Sequence, residues 1–308
     1  MAKPSKMGIV KLKEQFEIQS MVIPGMIFLI IFNFVPMIGI ITAFIDYDPV
    51  AGYLNSPFVG LKYIFELFSD DAFGMILRNT LGMNLIGLAV SFPATILFAL
   101  LLNEVRFLKV KKTIQSLSYL PHFLSWAIYG GILLQIFSTS NDGLVNSLLL
   151  NFKIIGAPIN FFGEPDYYWA IIILSSLFKG LGWGSIIYIA AIAGVNPELY
   201  EAADMDGAGR FRKMLSITLP GISSTVVIML VLAISGILNS GVDATLVTQN
   251  NMNYPASETI DMYVYHVGLQ NFRFSYSTAI GLLKSVVSVV LLLFANKTSK
   301  KITERGLF

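Results

Sequence analysis

Apolar and polar positions alternate along this chain on a long wavelength. Stretches of twenty or more apolar residues are separated by short charged segments, at 20–45, 79–102, 114–137, 167–193, 219–240 and 276–295. An α-helix needs about 20 such residues to cross the hydrocarbon of a bilayer. Each run is longer than a soluble core helix requires and lacks the polar face of an amphipathic one. The pattern predicts an all-α membrane protein with six transmembrane helices. The third run is the least uniform, because "LPHFLSWAIYGG" contains Pro121, His122 and two glycines, and Pro121 predicts a kink. The first run is too long for the core of a signal peptide, and no small-residue cleavage site follows it before Asp46, so it reads as an uncleaved helix.

Composition agrees with the pattern. Of 308 residues, 55% are hydrophobic and 13% charged, against about 25% charged in a soluble domain. A net charge of +2 is too mild to imply nucleic acid. The absence of cysteine excludes disulfides, thiolate metal sites and cysteine nucleophiles. The distribution of lysine and arginine carries more information than their sum. One set of connecting segments, with the two termini, holds fifteen of them, including Arg106, Lys109, Lys111, Lys112, Arg210, Arg212 and Lys213; the alternate set holds only Lys62, Arg78, Lys153 and Arg273. By the positive-inside rule both termini are cytoplasmic, and so is the connection between the fourth and fifth spans.

That connection, "NPELYEAADMDGAGRFRKMLSITLP" from Asn196 to Pro220, has more internal order than a linker needs. Asn196 suits an N-cap, Pro197 the first helical position and Glu198 the positive end of the helix dipole. Good helix formers then run to Gly207, a C-terminal stop, and "RFRKML" starts a second short helix. Leu199, Ala202, Ala203 and Met205 offer small or apolar surface; Glu201, Asp204 and Asp206 offer charge. The plain alternative is a solvated connector.

The residues "EAADMDG" followed by "ITLP" resemble the EAA motif of permease subunits in binding-protein-dependent ABC importers. Glu201, Ala202, Ala203, Gly207, Leu219 and Pro220 stand in register with it. "RNT" at 78–80 resembles the start of that family's core domain, and "MYVYHVGLQNFRFSYSTAIGL" resembles the entry to its last helix. "LPHFLSW" and "LYEAADMDGAGR" are most similar to the polysaccharide and oligosaccharide branch, LplB-type and maltose-permease-like. The resemblance covers nearly the whole chain. It implies a type I importer (MetI-like) fold with a cytoplasmic segment at 1–19, a first helix at 20–45, an external loop at 46–78, a core domain of five helices at 79–295 and a cytoplasmic tail at 296–308. It implies further that Tyr200, Glu201, Ala202, Ala203, Asp204, Gly207, Leu219 and Pro220 form the coupling to an ATPase. The implied partners are a second homologous permease, two cytoplasmic ATPase subunits that bind the ATP and magnesium, an extracytoplasmic substrate-binding lipoprotein and a carbohydrate; the chain itself needs no cofactor. The location implied is the plasma membrane.

The chain has no phosphate-binding G-x-x-x-x-G-K-[ST] loop, so energy must come from another polypeptide. None of the six runs contains Asp or Glu, which weighs against the alternative of an ion-coupled secondary transporter of a small polar solute. His122 and His266 are isolated and form no evident acid–base or metal site, which weighs against an intramembrane enzyme. Candidates to line a substrate path are Asn84, Tyr119, Ser125, Trp126, Lys179, Trp183 and Asn239. Aromatic faces beside polar edges suit sugar rings, although Tyr119 and Trp126 are equally consistent with packing or interfacial aromatics. Lys179 among Gly180, Gly182 and Gly184 reads either as a path residue or as a lysine paired with a carbonyl or reaching the interface. Lys284 is expected to extend to the nearer membrane surface.

Overall fold

The computed structural model describes residues 16, 19–140 and 143–303. The first lysine-rich segment, 1–15, and the last residues, 304–308, lie outside it. Among the described residues four helices are long and apolar enough to cross a membrane: α1 (Ile23–Phe44), α3 (Phe73–Asn103), α7 (Pro165–Ala193) and α13 (Phe274–Thr303). Between α1 and α3 lies the short α2 (Lys62–Phe68). Two bent helix pairs accompany them, and counting each pair as one span gives six. The pairs are Leu108–Phe123, whose α-helical part Leu108–Tyr119 is α4, with α5 (Trp126–Ile136), bent by 98°, and α9 (Arg210–Gly221) with α10 (Ser223–Ser235), bent by 63°. In chain order the remaining described helices of six or more residues are α6 (Leu144–Asn151), α8 (Pro197–Met205), α11 (Asp243–Thr248) and α12 (Ile260–Tyr265).

α3 and α7 form the central pair. Thirty-one residues make α3 about 46 Å long. α7 starts with Pro165 at its N-terminus and Asp166 in its first turn, both favoured there. At one end Met83, Tyr129, Leu133, Tyr168, Ile171 and Ile172 pack together; at the other, Ile96, Ala99, Leu100, Tyr188, Ile192, Met214 and Ile222 do so. Gly182 lets α4 approach α7 so closely that a Cβ there would collide with the Ser118 carbonyl. α1 buries only Thr42 and Ala43 and passes through one π turn and a 3₁₀ stretch. Most of its remaining apolar side chains are exposed, as lipid contact demands, while Phe44 packs on the core beside Ala43.

The segment between α1 and α3 is fastened to the start of α13. The Tyr63 hydroxyl donates to Asp46 over 2.5 Å, Arg273 pairs with Glu66 and lies 4.4 Å above the Tyr276 ring, and Asp70 accepts from Tyr263 and Tyr276. Burial alone would raise the Asp70 pKa. Hydrogen bonds from Tyr263, the Ala72 amide and Tyr276, with the Arg273 charge, outweigh it and hold this carboxyl below its ordinary value. Burial, together with the bond to Asp46, pushes the Tyr63 hydroxyl up to about 12.

Three sequence expectations need correction. The third span is not one kinked helix. Pro121 sits inside a 3₁₀ turn, Leu120–Phe123, and the chain breaks after it at Leu124, where Ser125 caps α5 by accepting from the Ile128 amide at 3.3 Å. The fifth span does not begin at Leu219. Helix already runs from Arg210, a π turn at Met214–Thr218 absorbs the amide that Pro220 lacks, and the bend follows at Ile222. The helix of that span also ends at Ser235 rather than 240: the Ile237 and Asn239 amides close turns onto Ile234 and Gly236, and the Ile237 carbonyl and the Ser240 and Gly241 amides then bond side chains.

Candidate functional site

Two features stand apart from the packing of the bundle. The first is α8. The Asn196 side chain accepts from the Glu198 amide at 3.1 Å. At the other end Gly207 adopts φ +73°, its amide bonds the Asp204 carbonyl at 3.1 Å and the Ala208 amide bonds the Ala203 carbonyl at 2.9 Å. These are the two bonds of a Schellman motif, and they require the left-handed residue that glycine supplies without strain. Nothing on α8 is buried; only Tyr200 and Ala203 are partly covered, while Glu201, Ala202, Asp204 and Met205 are exposed. Met205 is 90% exposed, a solitary thioether at the tip. α8 is tied back to α9 by Tyr200 to Thr218, 2.9 Å, and by Lys213 to Asp204, 2.6 Å. Leu219 lies half-buried and Pro220 exposed at the bend. A capped helix held rigidly yet left uncovered presents a fixed surface to something outside the chain.

The second feature is a groove along α3, α5 and α7, bordered by the segment leading into α11 and by α11 itself, with polar side chains set in a mainly apolar lining. It has two neighbouring parts of roughly 310 and 710 Å³ that share Trp126, Ser176 and Asp243. Of the residues proposed from sequence, Asn84 lines the first part, donating to the Ile237 carbonyl at 2.7 Å and to Ser240 Oγ at 2.9 Å. Ser125 and Lys179 line the second, and Trp126 lines both. Lys179 is buried, and all three of its ammonium protons are taken by the carbonyls of Pro121 (3.1 Å), His122 (2.8 Å) and Leu124 (2.6 Å). Of its two readings, the carbonyl pairing is the one observed, at the wall of the groove. Three expectations do not fit. Trp183 does not line the groove itself but stacks, at 4.6 Å with the rings 2° from parallel, on His122, which does. Tyr119 ends α4, half-buried, and Asn239 is exposed; neither lines the groove.

Sequence reasoning missed Ser176, Ser240 and Asp243, and it missed that acids reach the membrane-spanning helices from outside the apolar runs. Lys284 does not extend to the surface but pairs with Asp261. Glu258, with no exposed side-chain area, bonds His266 Nδ1 at 2.9 Å and Gln249 at 2.8 Å. These acids follow the fifth apolar run, so a count within runs cannot find them; the helix-breaking "NSGVD" at 239–243 is the signal that a lining segment starts there. No cluster of metal-ligating side chains occurs among the described residues.

An all-helical bundle with broken spans, a partly polar groove and an uncovered helix at the bundle's edge defines a membrane-embedded transport component. The chain belongs to the family of binding-protein-dependent transport system inner membrane components, whose model matches residues 95–304. It is 43% identical over 300 residues to the polygalacturonan/rhamnogalacturonan transport system permease protein YteP of Bacillus subtilis (strain 168), covering 97% of this chain and 92% of that protein. Protein LplB of the same organism is 42% identical over 288 residues, covering 94% and 90%. Among solved structures, a chain of a bacterial ABC transporter involved in the import of the acidic polysaccharide alginate superposes with a TM-score of 0.85 at 34% identity, over 95% of this chain and 98% of that one. The same fold match holds for a bacterial alginate ABC transporter in complex with an alginate pentasaccharide-bound periplasmic protein.

Proposed function

We propose that this chain is the permease subunit of an ATP-driven importer of oligo- or polysaccharides. It forms half of the translocation path with a second, homologous permease and couples through α8 to a separate ATPase. Both termini and α8 face the cytoplasm, two ATPase subunits bind the ATP and magnesium, and an extracytoplasmic lipoprotein delivers the substrate. The observation that carries this reading is α8 itself: capped at both ends, anchored by Tyr200 and Lys213, and uncovered elsewhere. A connector has no use for such order, whereas a docking helix must arrive pre-formed to transmit a displacement. The carbohydrate class rests on relatives named for polygalacturonan, rhamnogalacturonan and alginate, and on a groove that sets the Trp126 ring beside Asn84, Ser176, Ser240 and Asp243. The chain performs no covalent chemistry in this scheme. Closure of the ATPase dimer moves α8, and the groove changes the side on which it opens.

The test is co-purification of the ATPase with the Gly207→Val and Glu201→Lys variants, combined with uptake of oligogalacturonides and alginate oligomers. Insertion should persist while ATPase recovery and uptake fall. Wild-type values of both would reduce α8 to a connector.

A further inference from the structure

The wall of the groove at 237–242 is not helical before α11 begins at Asp243, and something must hold it. On one side Asn84 takes the Ile237 carbonyl and Ser240 Oγ. On the other side the amides of Ser240 and Gly241 converge on one oxygen of Asp261, at 2.8 and 2.9 Å. Gly241 has φ +68°, and the left-handed residue turns two successive N–H groups to the same side, a concavity that selects an anion. The second oxygen of Asp261 pairs with Lys284 on α13. Both side chains are largely buried, at 20% and 14% exposure. The roles are therefore unequal: two backbone donors require an acceptor at 261, whereas Lys284 only neutralises it.

We infer that Asp261 is a positioning residue for transport, one that fixes the irregular wall at 240–242, and with it the start of α11, and hence the width of the groove. The inference rests on the reading of that groove as the substrate path. Asp261 lies at the start of α12, outside every apolar run, and touches no groove space itself; it acts through Ser240 and Gly241, which line the first part. An Asn at 261 offers one acceptor but turns an amide donor toward Lys284 or the backbone, and a Lys offers no acceptor at all. Loss of the carboxylate should free the wall while α3 and α7 stay in place.

The native chain lacks cysteine, so single reporters can be read without background. Ala244→Cys reports on the start of α11 and Ser176→Cys on α7 across the groove, both in the full chain in membrane vesicles with its partners. The probe is a cationic methanethiosulfonate, with modification of this chain followed by mass. In the Asp261→Asn background the rate at Ala244→Cys should change about fivefold or more, on the scale of one or two lost charge-assisted hydrogen bonds, and the rate at Ser176→Cys should hold within about twofold. The exchanged pair Asp261→Lys with Lys284→Asp should behave like Asp261→Asn. If Asp261→Asn fails to accumulate, Asp261→Glu, which keeps the charge but shifts the acceptor by a methylene, carries the same expectation. Restoration of the wild-type rate by the exchanged pair would show an ordinary ion pair and overturn the inference, as would equal changes at both reporters. Reporters that both react but ignore Asp261 overturn the positioning role alone. Reporters that never react in the wild-type background overturn the groove reading and the inference with it.

Discussion

Replacing Lys179 with methionine keeps an unbranched side chain one atom shorter and removes its three donors. In the native protein those donors satisfy the carbonyls of Pro121, His122 and Leu124, where the chain turns by 98° between α4 and α5. The Pro121 carbonyl retains one further bond, from the Leu124 amide at 3.3 Å. The His122 and Leu124 carbonyls would lose the ammonium outright. A buried carbonyl left unsatisfied costs about 1–3 kcal/mol, and bonds to a charged donor sit at the upper end. Water in the groove can reach part of the site, and the losses are not additive, so the expected destabilisation is about 3 kcal/mol. The Trp126 ring, 5.8 Å from the ammonium, loses its cation at the same time, and Trp183 reports on the neighbouring His122 stack. Thermal unfolding in detergent, read by tryptophan emission, is therefore sensitive to the site and to the whole fold. The midpoint should fall and the native emission should shift. Lys179→Arg should recover only part of the loss, because a planar guanidinium cannot converge on three carbonyls as a tetrahedral ammonium does. An unchanged midpoint and spectrum in Lys179→Met would refute the idea that this lysine holds the break.

The remaining predictions concern other parts of the molecule. Gly207→Ala should destabilise the α8 turn by about 1–2 kcal/mol through its positive φ, while Gly207→Asn should cost less; hydrogen exchange at the Ala208 amide measures both, and an Ala variant as protected as wild type would contradict the turn geometry. The folded Asp70 pKa lies below its unfolded value, so its contribution is full above the ordinary carboxylate pKa of about 4 and is lost as pH falls through the depressed one. Protease cutting near α2 should rise at pH 3 in the wild type and already at pH 7 in Asp70→Asn; equal cutting at both pH values would count against the anchor. A cysteine at Asp48 should label from outside intact cells and one at Asp204 should not, and external labelling at Asp204 would invert the proposed orientation.

How much of this was readable beforehand depends on the range of the interaction involved. The six apolar runs, the caps of α8 and its glycine stop are local: hydrocarbon length, N-cap chemistry and a left-handed residue are all written within a few positions of where they act. The family resemblance in "EAADMDG" and "ITLP" was legible for the same reason. The groove was not. Asn84 entered it because a polar residue in an apolar run has to find a partner, but Asn239 satisfied the same criterion and does not line the groove, since the helix has already ended at Ser235. The fate of the two intramembrane lysines shows the difference most clearly. Sequence says that each needs a partner. Only the tertiary structure could give Lys179 the carbonyls of a broken helix 55 to 58 positions earlier, and Lys284 the carboxylate of Asp261 from a segment that no hydropathy run includes. In a medium without water a charge must be satisfied by whatever the fold brings within reach, and that choice is made by the packing of helices distant in sequence.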